Sequence, residues 1–449
     1  MSINVHNIEQ AILDKMNSSS TELELLEYSK MLTELKTGIV QVVDTFASLP
    51  TASESVGHLY YVQDEKTVYW ANAANGWITL QTQVLNKLYG WGYNKCGVLG
   101  TNDIICYSSP VQEVSASNWI SVSLGLNTAG GIKTNGTLWN WACNSSYYQL
   151  GINCTLATYM VSSPVQEACS STNWCYLDIG ANSTSAIKND GTLWGWGRNS
   201  FGNIATNDTL NKSGPTQEIT AGTDWCCIFS SMLLSFSVLG LKNNGTLWGF
   251  GQNGVGSLGV NSTIAYSSPV QEVSSSSNWC FASTNRDSSA GIKTDGTLWT
   301  WGSTSQWQNT VYVAYSSPVQ EVSSSSNWCK VNVSSIAVFG IKTDGTLWSG
   351  GSAIYGQLIT PTCVNHSSPV QEVSSSTNWC DVCGNDYSGF GVKTDGTLWS
   401  WGFNSKGNLA LYGTLYYSSP VQEVSSSTSW ICVDAGACCN AIGIQQFSL

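Results

Sequence analysis

"IKTDGTLWTWG" (residues 292–302) returns with small changes as "IKTNGTLWNWA" (132–142), "IKNDGTLWGWG" (187–197), "LKNNGTLWGFG" (241–251), "IKTDGTLWSGG" (341–351) and "VKTDGTLWSWG" (392–402). An Asp-Gly or Asn-Gly pair between two apolar runs is the pattern of a β-hairpin with a two-residue turn that needs positive φ. Aligned on Gly136, Gly191, Gly245, Gly296, Gly345 and Gly396, the phrase recurs about every 50 residues. Two further markers alternate with it: a Ser-Pro segment at Pro110, Pro164, Pro215, Pro269, Pro318, Pro369 and Pro420, and a tryptophan at 119, 174, 225, 279, 328, 379 and 430. These two count seven where the glycine counts six.

The missing copy is divided between the ends of the repeat region. "KLYGWG" (87–92) is the end of a phrase without its beginning, and "NAIGIQQ" (440–446) is a beginning without its end. Joined, they complete a seventh unit, because half-units at the ends of an open stack would leave unpaired strand edges. Leu88, Tyr89, Trp91, Ile442 and Ile444 are therefore the expected closure residues. Each unit offers four strands: "PVQEV", "W-C-x-V", "GIKT" and "TLWxWG". An all-β, seven-bladed propeller of four-stranded blades over residues 83–449 follows.

"TLW.WG.N..G.LG", then "SPV.EV", then "W..V..G" and "AIK.DG", resembles the regulator of chromosome condensation repeat, which implies the same seven-bladed fold over more than four-fifths of the chain. The family prototype binds chromatin and exchanges nucleotide on a small GTPase through a basic tail, an inserted wedge and particular loop residues. Neither tail nor wedge is recognisable here, and the family's recurrent histidine is missing: the chain has only His6, His58 and His366. Exchange activity is not carried over on fold alone.

Two other zones precede the propeller. In residues 1–46, Ser19 stands three before Glu22 as in a capping box, and Leu25, Tyr28, Leu32, Leu35, Ile39 and Val42 follow a heptad spacing. A helical stalk that self-associates, as a homotrimer, is the expectation, with folding of the helix against its own chain as the alternative. Residues 47–82 read as a small β-module with strands Leu59–Gln63, Thr67–Ala71 and Gly76–Leu80. "LPTASESVGHLYYVQDEKTVYWANAANGWITL" resembles the β-modules near the start of bacteriophage tail-fibre and appendage proteins.

The composition narrows the function. Hydrophobic residues make up 42% of the 449 and charged residues 10%, with 21 Trp, 19 Tyr and a net charge of −12. No basic stripe exists, which argues against a nucleic-acid or anionic-membrane partner. There is no apolar run long enough to span a bilayer. The first residues lack a secretory signal pattern, so a reducing compartment and free thiols are expected for the 16 Cys.

Catalytic and metal chemistry find little support. Cys380-x-x-Cys383 lies on a strand, where residues three apart point to opposite faces. The cysteines at 175, 226, 280, 329 and 380 recur once per unit and read as small buried residues between blades. A Ser-His-Asp arrangement would need His366, which stands where other units have Tyr. Glu113, Glu167, Glu218, Glu272, Glu321, Glu372 and Glu423 repeat in every unit and read as structural, whereas a glycosidase needs one asymmetric acid pair. No enzyme and no cofactor are expected.

What varies between units is the loop before each Ser-Pro segment. These loops carry Tyr147, Tyr148, Trp307, Tyr312, Tyr355 and Tyr412 outside the repeat pattern, and ring geometry places them on one face. They form the candidate recognition surface for a host glycan or protein, whereas Trp139 and Trp141 read as packing between blades. The leading expectation is a viral, bacteriophage-like appendage on the virion surface, assembled in the host cytoplasm. It would be attached to other virion proteins through residues 1–82 and would face a host receptor with its propeller. The alternative is a cellular scaffold or protein-interaction propeller of the regulator of chromosome condensation type.

Overall fold

The computed structural model describes residues 40–43, 49–51, 55, 58–62, 67–72, 76–80 and 84–448, except for 116–117, 146, 154–157, 234–235, 304–306, 308–313, 361–363 and 438. It divides into two compact units, Asn86–Gln445 and the remainder. The described secondary structure is all strand.

In the smaller unit, Val40–Val43 pairs in parallel with Leu59–Val62, which continues antiparallel to Thr67–Asn72 and Gly76–Leu80. Val42 therefore lies on a strand and not on a helical seam. Three β-branched residues in "VQVV" favour extended backbone over helix. Leu25, Tyr28, Leu32, Leu35 and Ile39 of the expected seam fall outside the described residues.

The larger unit is a propeller of seven four-stranded antiparallel sheets. We number its blades by their first strands: Trp119–Leu124, Trp174–Ile179, Trp225–Ser230, Trp279–Asn285, Trp328–Val333, Trp379–Gly384 and Trp430–Gly436. The first strands of successive blades lie against one another around the centre. In each sheet the Ser-Pro strand pairs with the Trp-rich strand that precedes it, as Gln320 does with Trp299. The unit thus begins at the Trp-Cys segment, one strand later than the sequence frame. The Ser-Pro strand is the outer edge, where proline's missing N–H leaves no ladder bond unmade and blocks pairing with another sheet.

Blade 4 explains the repeated phrase residue by residue. Ile292 pairs with Leu298, the Gly296 amide donates to the Lys293 carbonyl (2.8 Å), and the Lys293 amide donates to the Thr297 carbonyl (3.0 Å). Gly296 has φ +76°, while Asp295 stays at negative φ. The turn is thus a type I turn closed by a glycine bulge rather than a two-residue turn with both centres at positive φ. A Cβ on Gly296 would meet the Ser326 carbonyl oxygen at 2.2 Å, because the next blade's chain crosses here. The glycine is demanded twice, by its φ and by that crossing.

Asp295 Oδ1 accepts from the Thr297 amide (3.0 Å) and hydroxyl (2.6 Å), and Thr297 Oγ1 accepts from Trp299 Nε1 (3.0 Å). Lys293 Nζ lies between the Trp279 and Trp299 rings, 4.8 and 4.4 Å from their centroids. The same lysine cage stands in blades 1 to 6. Glu272 is buried and accepts from Trp279 Nε1 (3.2 Å) and from the Ser274 amide and hydroxyl (2.7 Å each). This carboxylate ties the connection between blades to the first tryptophan, a structural use repeated at Trp119, Trp174, Trp225, Trp328 and Trp430.

Blade 7 is assembled from both ends: its sheet order is Trp430–Gly436, Asn440–Ser448, Val84–Gly92, Tyr107–Gln112. Trp91 is buried with Trp430 and Ala441, and Leu88 with Ile442 and Ile444; Tyr89 packs edge-on against Trp430 at 5.8 Å. Gln445 takes the caged lysine's place opposite Trp430.

Candidate functional site

In an antiparallel four-stranded blade the connections between strands one and two and between strands three and four emerge on the same face. The variable loops and the one-to-two turns therefore share one side of the disc, and the repeated hairpins occupy the other. At two junctions the loop of one blade meets the end of the next blade's third strand. Tyr147 makes this contact with Arg198 (4.8 Å, ring centroid to guanidinium), and Tyr355 with Phe403 (5.2 Å between centroids). Both tyrosines are half-buried, as is Tyr148. Tyr312 lies outside the described residues.

Trp307 is not a surface residue. It is fully buried and packs on Trp328 at 5.2 Å. In most blades the third strand carries a second buried tryptophan that reaches the preceding loop: Trp141 Nε1 donates to the Val98 carbonyl (2.8 Å), and Trp301 Nε1 to that of Ser257 (2.8 Å). The loop residue beneath that ring is small, as with Gly100 under Trp141 and Gly259 under Trp301. Blade 5 has Gly350 in place of the tryptophan, and the loop before it has Trp307 in place of the glycine. The Val322 amide bonds the Trp307 carbonyl (3.2 Å) just as the Val273 amide bonds that of Gly259 (3.1 Å). A Cβ on Gly350 would stand 2.0 Å from Trp307 Nε1. The large and small residues have changed places across the junction. Two matched departures from the repeat are the signal that sequence reading missed.

Tyr412 is different. The residue at its position donates its amide to the neighbouring blade's Ser-Pro strand and adopts positive φ; Asn102, Asn153, Asn207 and Asn261 do so elsewhere, and Tyr412 does so with φ 54° and a 3.1 Å bond to Ser108. Asparagine tolerates this conformation; tyrosine is rare there. Its ring is 74% exposed. Ile354, Leu415 and Tyr416 are also exposed, at 67%, 70% and 55%. Tyr416 stacks on Phe403 (5.1 Å), which with Tyr355 and Tyr387 forms an aromatic cluster (Tyr355–Tyr387 4.8 Å). An apolar patch of loop residues from blades 5 and 6 results, absent from any repeat rule.

The central channel is the second distinctive place. Side chains on the first strand of one blade accept amide bonds from the first strand of the next: Ser123 from Ile179 (3.0 Å), Asp178 from Ser230, Ser283 from Val333 (2.9 Å), Asp381 from Val433 (3.3 Å), and Asp434 from Leu124 (2.8 Å). Lys330 forms an ion pair with Asp381. Asp178 and Asp434 are half-buried, and the loss of solvent around their carboxyls pushes both up to about 7 against the pull of their amide donors. Phe229, at the position where Ser123, Asp178, Ser283 and Asp434 accept, instead meets Phe281 of the next blade edge to face at 5.3 Å.

The recurring cysteines also differ from expectation. Cys175, Cys280, Cys329 and Cys380 are exposed. Each occupies a bulge in its first strand and donates to a second-strand carbonyl, as Cys280 does to Ile292 (3.4 Å). The bulge turns the side chain out of the blade interface. Among the described residues no group of three or more His, Cys, Asp or Glu is placed to hold a metal ion.

Comparisons with known proteins agree with this fold. No family model matches the chain. It is 27% identical over 210 residues to the ultraviolet-B receptor UVR8 of Arabidopsis thaliana, covering 45% of this chain and 47% of that one. It is 24% identical over 235 residues to the mitochondrial RCC1 domain-containing protein RUG3 of the same plant, covering 49% and 51%. The chain thus spans about half the length of these curated relatives. Yeast RCC1 (Prp20), solved bound to Kap60, superposes with a TM-score of 0.70 at 14% identity over 82% of this chain and 90% of that one. The fold is an RCC1-like seven-bladed β-propeller. These relatives are proteins of cellular organisms, which overturns the expectation of a viral appendage on a virion surface and leaves its virion partners, host glycan and trimeric stalk without support.

Two predictions follow from these packings. Trp307→Gly opens a cavity worth about 3–5 kcal/mol, and Gly350→Trp alone overpacks the same junction. The double variant recovers most of the loss, giving a large favourable coupling in a denaturant-melt cycle; additive losses would show that the two sites do not share the space. Asp178 and Asp434 hold their protons more tightly folded than unfolded, so the folded state loses stability as pH rises from about 4 through 7. Asp434→Asn should flatten the decline between pH 4 and 7 by about 1–2 kcal/mol, allowing for the carboxyl's partial exposure, as read from urea melts at each pH.

Proposed function

We propose that this chain is a non-catalytic, protein-docking propeller of the cellular kind, and that its partner sits on the loop face at blades 5 and 6. The observation that carries the reading is Tyr412, an exposed bulky aromatic held at positive φ, in the same loop as the exposed Leu415 and Tyr416 and with Ile354 exposed in the preceding blade's loop. Strained backbone that presents an apolar ring to water is costly to folding and gains its return in contact. Aromatic anchors with neighbouring aliphatic groups are the side chains that dominate protein interfaces. A non-catalytic role takes further support from the repeated glutamates, which are spent on tryptophan and amide donors.

The test compares the intact chain with a Tyr412→Ala, Leu415→Asp variant and with Asp344→Asn on the hairpin face. Each is used to recover partners from extracts of the source cells, and the recovered protein is then titrated against all three. The loop variant should bind at least about tenfold more weakly at unchanged melting temperature, with Asp344→Asn unaffected. Equal affinity for wild type and loop variant, or loss with Asp344→Asn instead, would reassign the docking face.

A further inference from the structure

The blade 7 to blade 1 junction differs from the other six. At each of those, the hairpin glycine carbonyl of one blade accepts the first tryptophan amide of the next, from Gly136 and Trp174 (3.0 Å) to Gly396 and Trp430 (3.0 Å). Blade 7 has no such hairpin, because its second and third strands come from opposite parts of the chain. At this seam the loop contact that Tyr147–Arg198 and Tyr355–Phe403 make at two other junctions is made by two thiols. Cys96, in the loop of blade 7, is hydrogen-bonded to Cys143 on the third strand of blade 1, Leu138–Ser145. Asn127 holds the site from a third element: its Oδ1 lies 3.9 Å from Cys96 Sγ, and its carbonyl accepts the Cys143 amide at 3.0 Å. Both thiols are half-buried, within reach of a small oxidant on the loop face.

We propose that Cys96 and Cys143 are an oxidisable dithiol whose disulfide staples the seam of the ring, formed by exchange with a small disulfide such as glutathione disulfide. The Cys96 thiolate attacks one sulfur of glutathione disulfide, which breaks the S–S bond and releases one glutathione thiolate. Cys143 loses its proton to water and attacks the Cys96 sulfur, forming the protein disulfide and releasing the second glutathione. Two electrons pass from the protein thiols to the glutathione disulfide. Hydrogen bonding from Cys143 pulls the Cys96 thiol down to about 7, which makes Cys96 the attacking group near neutral pH. The exposed single cysteines at 175, 280, 329 and 380 are all pushed up, chiefly by burial, and have no such neighbour. Cys226 and Cys227 also share a hydrogen bond, but as sequence neighbours on one strand they close only a small ring and span no junction.

The test equilibrates the full chain with glutathione buffers of rising oxidised fraction, quenches by alkylation and maps peptides by mass. The expected product is a peptide pair joined through Cys96 and Cys143, two hydrogens lighter than the free pair. It should appear at a lower oxidised fraction than mixed disulfides at Cys280 or Cys329. A Cys96→Ser chain should instead accumulate glutathione on Cys143. The proposal is overturned if wild-type Cys96 and Cys143 stay reduced, or each carries its own glutathione, once Cys280 and Cys329 are modified. The wild-type reading stands alone if the variant fails to fold.

Discussion

One contact sets the terms for the rest of the propeller: the carbonyl of a hairpin glycine receiving the amide of the next blade's first tryptophan. It requires that the next chain pass over the hairpin so closely that no Cβ fits, as the 2.2 Å approach of the Ser326 oxygen at Gly296 shows. The Asp-Thr-Trp relay then holds the turn in shape, and the lysine between two indoles covers its open side. Six blades solve the same problem with the same residues. The seventh cannot, and there Tyr89, Gln445 and a pair of thiols replace the regular parts.

The proposed docking site lies where a blade departs from the rule without a compensating departure elsewhere. Trp307 and Gly350 depart together and cancel; they are packing. Tyr412 departs alone, and its ring faces water. The channel carboxylates are intermediate: Asp178 and Asp434 hold neighbouring blades together through amide bonds, yet at a cost in charge burial that makes these links sensitive to pH. The loop face, with the seam thiols at its blade 7 to blade 1 junction, and the channel therefore carry different chemistry on one disc.

Much of the architecture was legible in the chain itself. The six copies of the phrase, the seven Ser-Pro segments and the two split halves at 87–92 and 440–446 are local patterns that force a local geometry, and the propeller follows from counting them. What was not legible depends on contacts between units. The turn type is decided by the crossing over Gly296, which an Asp-Gly pair alone does not reveal. The exposure of Cys280 and its equivalents is decided by a strand bulge. Trp307 resembles a loop aromatic until it is read against Gly350, some 40 residues later. Val42 fits a heptad by spacing but a strand by branching, and the neighbouring strand Leu59–Val62 settles it. The role of the loop face lay beyond the sequence because resemblance in fold carries no partner with it.

The central claim is that the ring is closed and its junctions act as one body. Native-state hydrogen exchange of the backbone amides of Trp174, Trp225, Trp279, Trp328, Trp379 and Trp430 tests it most directly. A closed ring predicts that all six exchange through one global opening, with the same protection and the same denaturant dependence. A gradient, with Trp174 and Trp430 exchanging fastest and Trp279 and Trp328 slowest, would be the behaviour of an open stack fraying from its ends and would contradict the account.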